Sequence, residues 1–126
     1  MSIIELNDKL PSVEFQYFKD GELTVATTEE LFAGKTVVLF ALPGAFTPTC
    51  SEQHLPGFVQ HYQAFVDKGV DAIYCTSVND AFVMEAWGKS LDVAPVVMLA
   101  DGDAEFAKAM GLDKETGRFG GTRSRR

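Results

Sequence analysis

The residues best placed to do chemistry lie in the stretch 43–50, PGAFTPTC, which ends in a cysteine. It follows the largely apolar run 36–42, so the pattern predicts a strand that leads through a loop to the start of a helix. Amide groups in the first turn of a helix have no intrahelical partner and carry partial positive charge, so they stabilise a thiolate at Cys50. The thiolate is the nucleophilic form of cysteine. The spacing therefore predicts a reactive thiol at position 50.

The residues around this cysteine favour the same interpretation. Pro43 and Pro48 fix φ and keep the loop out of the helix. Thr47 adds a hydroxyl that can donate and accept a hydrogen bond, three residues before the sulfur. The alternative is a buried cysteine that acts only as an apolar filler. Polar residues at 49 and 51–53 argue against that alternative.

The second cysteine, Cys75, lies inside an apolar run. Two cysteines are too few for a disulfide scaffold, and these two are too far apart for a Cys-x-x-Cys pair. We predict that Cys75 is an inert buried thiol rather than a resolving cysteine.

Two histidines follow the reactive stretch, and each raises an alternative. His54 and His61 could join Cys50 in a metal site, since thiolate and imidazole both bind zinc. The three candidate ligands are few and Pro56 lies between them, so we predict no metal. His54 as a general base for Cys50 would indicate a hydrolase, but we expect a supporting or surface position for it.

Composition and charge bound the class of protein. A chain of 126 residues with 46% apolar residues can form one domain, residues 1–126, with a real core. No apolar run is long enough to cross a bilayer, and residues 1–5 lack the features of a leader, so we expect no membrane and a cytoplasmic location. Residues 1–117 hold seven lysines and all eighteen acids, a charge of −11, and all four arginines follow. We therefore expect no nucleic-acid partner.

Hydrophobic periodicity predicts the elements that position the reactive stretch. Residues 13–18 alternate as a half-buried strand that turns at 19–22. Thr27 or Thr28 caps a short helix that Gly34 stops. After Cys50 we predict one long helix, kinked at the following proline. Its apolar stripe comprises Leu55, Phe58, Val59, Tyr62, Phe65 and Val66.

Two more strands are predicted at 70–78 and 95–100, and a helix follows each. Asn79 or Asp80 should cap the first helix, and Asp101 or Asp103 should cap the second, which ends at Gly111. The side chains predicted to face the core are Phe82, Val83, Ala86 and Trp87 in the first helix and Phe106 and Met110 in the second. Alternating strands and helices favour an α/β sandwich with parallel strands, in which run 36–42 is a central strand covered on both faces. Sites in such sheets lie beyond the carboxyl ends of strands, where Cys50 falls.

Three separated motifs, PGAFTPTC at 43–50, HLPGF at 54–58 and SVNDAFV at 77–83, occur in an order that resembles the peroxiredoxin-5 group of peroxiredoxins. The resemblance runs from about Leu6 to Arg126. It implies a thioredoxin-like fold with an added N-terminal hairpin and no metal, haem or flavin.

By this resemblance, Cys50 is the peroxidatic residue, which attacks the peroxide O–O bond and becomes a sulfenic acid. Pro43 and Thr47 match residues that shape and hydrogen-bond the peroxide pocket. Arg126 matches an arginine that pairs with thiolate and peroxide, and its permanent charge and several donors suit that role. Arg123 matches a supporting position.

The family continues past this arginine into a further β-hairpin of the central sheet, which this sequence lacks. We therefore expect an unpaired sheet edge, exposed helix faces and a frayed Arg126. Poor stability and reduced activity would follow.

The leading hypothesis is a thiol peroxidase for hydrogen peroxide and alkyl hydroperoxides, reduced by glutathione, glutaredoxin or thioredoxin, and homodimeric as family members often are. A catalytically inactive thioredoxin-like interaction module is the first alternative. A cysteine-dependent hydrolase or glyoxalase-type enzyme on an α/β fold is the second.

Overall fold

Alternating apolar residues along the strands give the sheet a core on each face. The computed structural model describes residues 5–126, so the first four residues, where we predict no leader, lie outside it. The elements are β1 (Glu14–Lys19), β2 (Glu22–Thr27), α1 (Thr28–Phe32), β3 (Val37–Ala41), a π-helix (Cys50–His54), α2 (Leu55–Gln60), α3 (Tyr62–Asp67), β4 (Ala72–Ser77), α4 (Ala81–Leu91), β5 (Val97–Ala100), α5 (Glu105–Ala109), β6 (Asp113–Glu115) and β7 (Thr122–Ser124).

Five strands form one mixed sheet in the order β2-β1-β5-β4-β3. Strands β3, β4 and β5 are parallel, and β1 runs antiparallel to both β2 and β5. This is the predicted thioredoxin-like α/β arrangement with an N-terminal hairpin. The prediction of a central β3 is wrong, because β3 is the last strand of this order and only Phe40 in it is buried.

The two cores lie on opposite faces of the sheet. One contains Cys50, Cys75, Met84 and Trp87, under the π-helix and α4. The other packs around Phe106, against α1 and α5. Side chains of β4 alternate between the two, as the period of a strand requires.

The helix after Cys50 is not continuous. The Leu55 amide donates to the Cys50 carbonyl, which closes a π-helical turn immediately before Pro56. Proline has no N–H and its ring clashes with the carbonyl four residues earlier, so a widened turn relieves a clash that a regular helix would suffer. The chain then breaks at His61 instead of kinking at Pro56, and it continues as α3.

Helix α4 also differs from its prediction. Asp80 caps it, accepting a hydrogen bond from the Val83 amide at 2.8 Å, and Trp87 is buried as predicted. Phe82 is 63% exposed and Ala86 is exposed too, while Ala81, Met84 and Gly88 are the other buried residues. The helix is rotated so that Met84 and Trp87 enter the core that also contains Cys50 and Cys75.

Two other helix starts agree with the sequence. Thr27 and Glu30 form a reciprocal capping box at the start of α1. The carboxylate of Asp101 accepts hydrogen bonds from the amides of Phe106 and Ala107, both at 2.9 Å. It therefore satisfies first-turn amides of α5 from just beyond β5.

The last residues form an element that the sequence pattern did not predict. Strands β6 and β7 pair antiparallel, with Lys114 opposite Arg123. The Arg125 amide donates to the Leu112 carbonyl at 2.8 Å, which holds the end of the hairpin against its start. We call residues 113–126 the arginine hairpin.

Candidate active site

Strand β3 delivers the chain into a loop, residues 43–49, that we call the proline loop. Leu42, just before it, is fully buried and its amide donates to the Thr76 carbonyl on β4 at 3.2 Å. Within the loop, the Thr47 hydroxyl donates to the Gly44 carbonyl at 2.7 Å. The Thr47 carbonyl in turn accepts from the Ser51 amide at 2.9 Å, so helical turns begin around Cys50 as predicted.

The proline loop is also tied to the end of β4. The Ala45 amide donates to Asn79 Oδ1 at 3.0 Å, and Asn79 contacts the Ser77 hydroxyl. Sequence reasoning missed this role, since it considered Asn79 as a helix cap. The motif SVNDAFV was the available signal, because it places a short amide side chain directly after a buried strand.

Arg126 meets Cys50 across 76 positions of sequence. Its Nη2 lies 3.6 Å from the Cys50 Sγ, and Cys50 is 0% exposed. The arginine hairpin carries the guanidinium onto the sulfur, where the resemblance places it, while the fraying of the exposed Arg126 stays a prediction. The structure thus places a permanent positive charge beside a buried sulfur.

Ser51, next to the cysteine, is bound from α4. The indole N–H of the fully buried Trp87 donates to the Ser51 hydroxyl at 2.9 Å. A buried indole N–H needs a partner, and here that partner is the residue after Cys50. The sequence predicted only that Trp87 faces inward.

Arg123 lies on the other side of the proline loop. Its Nε donates to the Gly120 carbonyl at 3.2 Å, inside the arginine hairpin. A β-carbon built at Gly44 would lie 3.5 Å from Arg123 Nη1 and 3.3 Å from Thr47 Cγ2. Arg123 Nη1 therefore lies near the proline loop at Gly44, at a distance that would be an ordinary contact for a β-carbon there. Pro43, two residues after β3, is half-buried.

His54 packs in an aromatic group beside the π-helix. Its ring lies 5.2 Å from that of Phe40 and 5.7 Å from that of Phe58, and its Nδ1 is buried without a described partner. Burial, followed by the positive charge of Arg126, lowers the pKa of His54 below its ordinary value. His61 is exposed at the break between α2 and α3.

Among the side chains that the structure describes in residues 5–126, no three from His, Cys, Asp or Glu are arranged to hold a metal ion. Over the same part of the chain, no helix has the length and apolar character needed to cross a membrane.

Cys75 lies in the middle of β4, paired across from Phe40 and Met98. It is 0% exposed and belongs to the same core as Cys50. Burial, with a smaller contribution from Cys50, raises the pKa of the Cys75 thiol far above its ordinary value. These surroundings agree with the predicted inert thiol.

The fold and the site can be compared with known proteins. The redoxin family model matches residues 5–126. The chain is 51% identical over 119 residues to chloroplastic peroxiredoxin-2E-2 of Oryza sativa subsp. japonica, covering 91% of this chain and 53% of that protein. It is 44% identical over 129 residues to peroxiredoxin-2B of Arabidopsis thaliana, covering 100% of this chain and 80% of that one. Among solved structures, reduced Prx3 of Vibrio vulnificus in complex with hydrogen peroxide has 50% identity and a TM-score of 0.94, covering 97% of this chain and 77% of that chain.

The sheet order, with a cysteine at the helix start beyond a parallel strand, defines a thioredoxin-like α/β protein. Together with the matches above, it shows that the chain belongs to the peroxiredoxin family. The chain spans 47% to 55% of the length of four curated relatives, about half of each.

Proposed function

We propose that the protein is a thiol peroxidase that reduces hydrogen peroxide and alkyl hydroperoxides through Cys50. The observation that carries this proposal is the 3.6 Å approach of Arg126 Nη2 to Cys50 Sγ. A buried apolar filler cysteine has no use for a guanidinium. A cysteine nucleophile must be anionic and expels an anionic oxygen, and a guanidinium stabilises the negative charge both on the attacking sulfur and on the leaving oxygen.

The reaction uses the sulfur and the two peroxide oxygens. The Cys50 thiolate attacks one oxygen of ROOH, the O–O bond breaks, and sulfur is oxidised by two electrons to the sulfenic acid. The other oxygen leaves as RO⁻ and takes up a proton to become ROH. Charge develops on this leaving oxygen, within reach of the Arg126 guanidinium, and such preorganised donors lower the barrier.

The proline loop supplies the remaining contacts in this proposal. Because the Thr47 hydroxyl donates its proton to the Gly44 carbonyl, its lone pairs are left to accept the O–H of a hydroperoxide. Pro43 holds the chain at the turn from β3 and bounds the pocket. These are the roles that the resemblance implies for Pro43 and Thr47.

The sulfenic acid must be returned to the thiol by an external thiol, for which we propose glutathione, glutaredoxin or thioredoxin. The support is that Cys75 lies inside β4 with a raised thiol pKa and is poorly suited to attack. The solved Vibrio vulnificus relative, whose complex contains hydrogen peroxide, supports the proposed oxidant. The homodimer and the cytoplasmic location stay predictions.

The proposal is tested by stopped-flow mixing of the reduced protein with hydrogen peroxide. Trp87 fluorescence should change on oxidation, because its indole hydrogen-bonds the residue next to Cys50. Mass spectrometry of the trapped product should find one sulfenic acid, at Cys50. The rate should exceed that of free cysteine by several orders of magnitude.

Oxidation of the folded protein no faster than free cysteine would overturn this function. It would leave the inactive thioredoxin-like interaction module as the better account. A circular dichroism melt of the same sample shows whether the protein was folded.

A further inference from the structure

The positive charge of this protein is concentrated at one place. Residues 1–117 carry a net charge of −11, whereas the four arginines at 118–126 have no acid among them. The structure puts two of these arginines at the candidate active site, Arg126 on the Cys50 sulfur and Arg123 against Gly44. Two guanidinium groups of an otherwise acidic protein therefore lie near Cys50 and the proline loop.

Arg126 has a stated role in the proposed peroxide reaction, whereas the resemblance gives Arg123 only a supporting position. Its guanidinium is half-buried and held by one hydrogen bond, from Nε to the Gly120 carbonyl. Its two Nη groups form no hydrogen bond or ion pair with the side chains and backbone that the structure describes. They therefore present up to four N–H donors beside the proline loop.

The other arginines show that this placement is particular to Arg123. Arg118 lies in the turn of the arginine hairpin, with its guanidinium carbon 4.6 Å from the centre of the exposed Phe119 ring. Arg125 is exposed. Neither has a described contact with the proline loop.

A planar guanidinium fork with its Nη donors free matches the geometry of a carboxylate, and partial burial strengthens such a charge-assisted pair. Hydrogen peroxide and simple alkyl hydroperoxides are neutral and offer no carboxylate. We propose that Arg123 binds the carboxylate of a small anionic co-substrate that reacts at Cys50. This rests on the proposed peroxidase function and names the substrate class of the same site.

Two reactants could bring that carboxylate. In the oxidising step, a carboxylated hydroperoxide gives up one oxygen to Cys50 and leaves as the corresponding alcohol. In the reducing step, a carboxylated thiol R′SH attacks the sulfenic acid, forming a Cys50–S–SR′ disulfide and releasing water. A second R′SH then displaces the Cys50 thiolate, and R′SSR′ leaves as the oxidised product.

Binding is tested first, without any turnover. Propionate is titrated into ¹⁵N-labelled protein at low ionic strength, and the Arg123 Nε–H and Ala45 amide resonances are followed by NMR. Both should shift saturably with propionate, with a millimolar Kd, and not with neutral propionamide. Arg123→Gln should abolish the saturable Ala45 shift, and Arg118→Gln, which removes the same charge elsewhere, should retain it.

Kinetics then identify the source of the carboxylate. Oxidation is measured with a short-chain hydroperoxy carboxylic acid and its methyl ester, and reduction of the oxidised protein with mercaptopropionate and mercaptoethanol. Arg123→Gln should lower the anionic-to-neutral rate ratio about tenfold in one of the two steps, and that step names the reactant. Arg123→Lys keeps the charge but not the planar fork, so its rate ratio should lie between those of the wild type and Arg123→Gln.

No saturable propionate shift in the wild-type protein would overturn the inference. An anionic-to-neutral rate ratio that Arg123→Gln leaves unchanged in both steps would also overturn it. So would an equal change of that ratio in Arg118→Gln, because the effect would then come from the overall positive charge of the arginine hairpin and not from a site at Arg123. If propionate binds as expected but peroxide does not oxidise Cys50, the peroxidase proposal fails while the carboxylate site stands.

Discussion

Cys50 and Cys75 are equally buried, at 0% exposure, and they share one core, yet their surroundings differ. Cys50 lies at the start of a π-helix with a guanidinium 3.6 Å from its sulfur. Cys75 lies inside β4, with Phe40 and Met98 on the neighbouring strands. Under the proposed function, two equally buried thiols differ in chemistry because of the charge and dipoles next to each sulfur.

Replacing each cysteine by itself should give the largest difference in the rate of oxidation by hydrogen peroxide. Cys50→Ser should abolish the fast reaction with hydrogen peroxide, since a hydroxyl is not ionised near neutral pH. Cys75→Ala should leave the rate of that step within about twofold, because β4 holds Cys75 away from the arginine hairpin. Stopped-flow mixing and trapping of the sulfenic acid measure both. A lost reaction in a folded Cys75→Ala protein would contradict the comparison.

Removing the charge at Cys50 should give the next largest effect. Arg126→Gln should slow oxidation by hydrogen peroxide about a hundredfold, the usual cost of losing one preorganised donor to a developing anion. Arg126→Lys should recover part of the rate, since it restores the charge without the planar fork. The matched control is Arg125→Gln, at the exposed neighbouring position. Equal rates in Arg126→Gln and the wild type would mean that the guanidinium is not what distinguishes Cys50.

The Trp87–Ser51 hydrogen bond should have a smaller effect, and mainly on stability. Trp87→Phe and Ser51→Ala should each lower the free energy of unfolding, because each leaves a buried group without its partner. Urea denaturation of both variants and the double variant should give a coupling energy of about 1 kcal/mol. A coupling energy indistinguishable from zero would mean that the bond does not hold the first turn at Cys50.

His54 should give the smallest effect, on the pH dependence of stability. Its pKa is lowered in the folded state, so the unfolded chain binds more protons in the window between that lowered pKa and about 6.5. Stability should therefore rise with pH across this window and be lost as the pH falls through it.

His54→Phe, which keeps a ring against Phe40 and Phe58, should flatten this part of the stability curve. The exposed His61→Gln should not. Urea melts at several pH values measure the slope, and an unchanged slope in His54→Phe would show that the histidine does not set it.

The sequence predicted much of the local structure because its signals are local. The capping box at Thr27, the cap at Asp80 and the strands at β4 and β5 all depend on residues within a few positions of one another. The predictions that failed depended on packing. A proline after a cysteine does not reveal a π-helix, and the periodicity of α4 does not fix its rotation, since Phe82 and Trp87 are equally apolar by type.

The sequence was enough to recognise the proline loop and the helix start at Cys50. Two prolines, a threonine hydroxyl and a cysteine follow a buried strand there, and the prolines restrict the backbone of the loop. The resemblance also placed Arg126 at the thiolate, but only the tertiary structure shows how the groups around the sulfur reach it. Arg126 reaches Cys50 across 76 positions because β6 and β7 pair, and Trp87 reaches Ser51 because α4 packs on the same face of the sheet. Such contacts come from strand pairing and side-chain packing between distant segments, for which no short stretch of sequence carries the information.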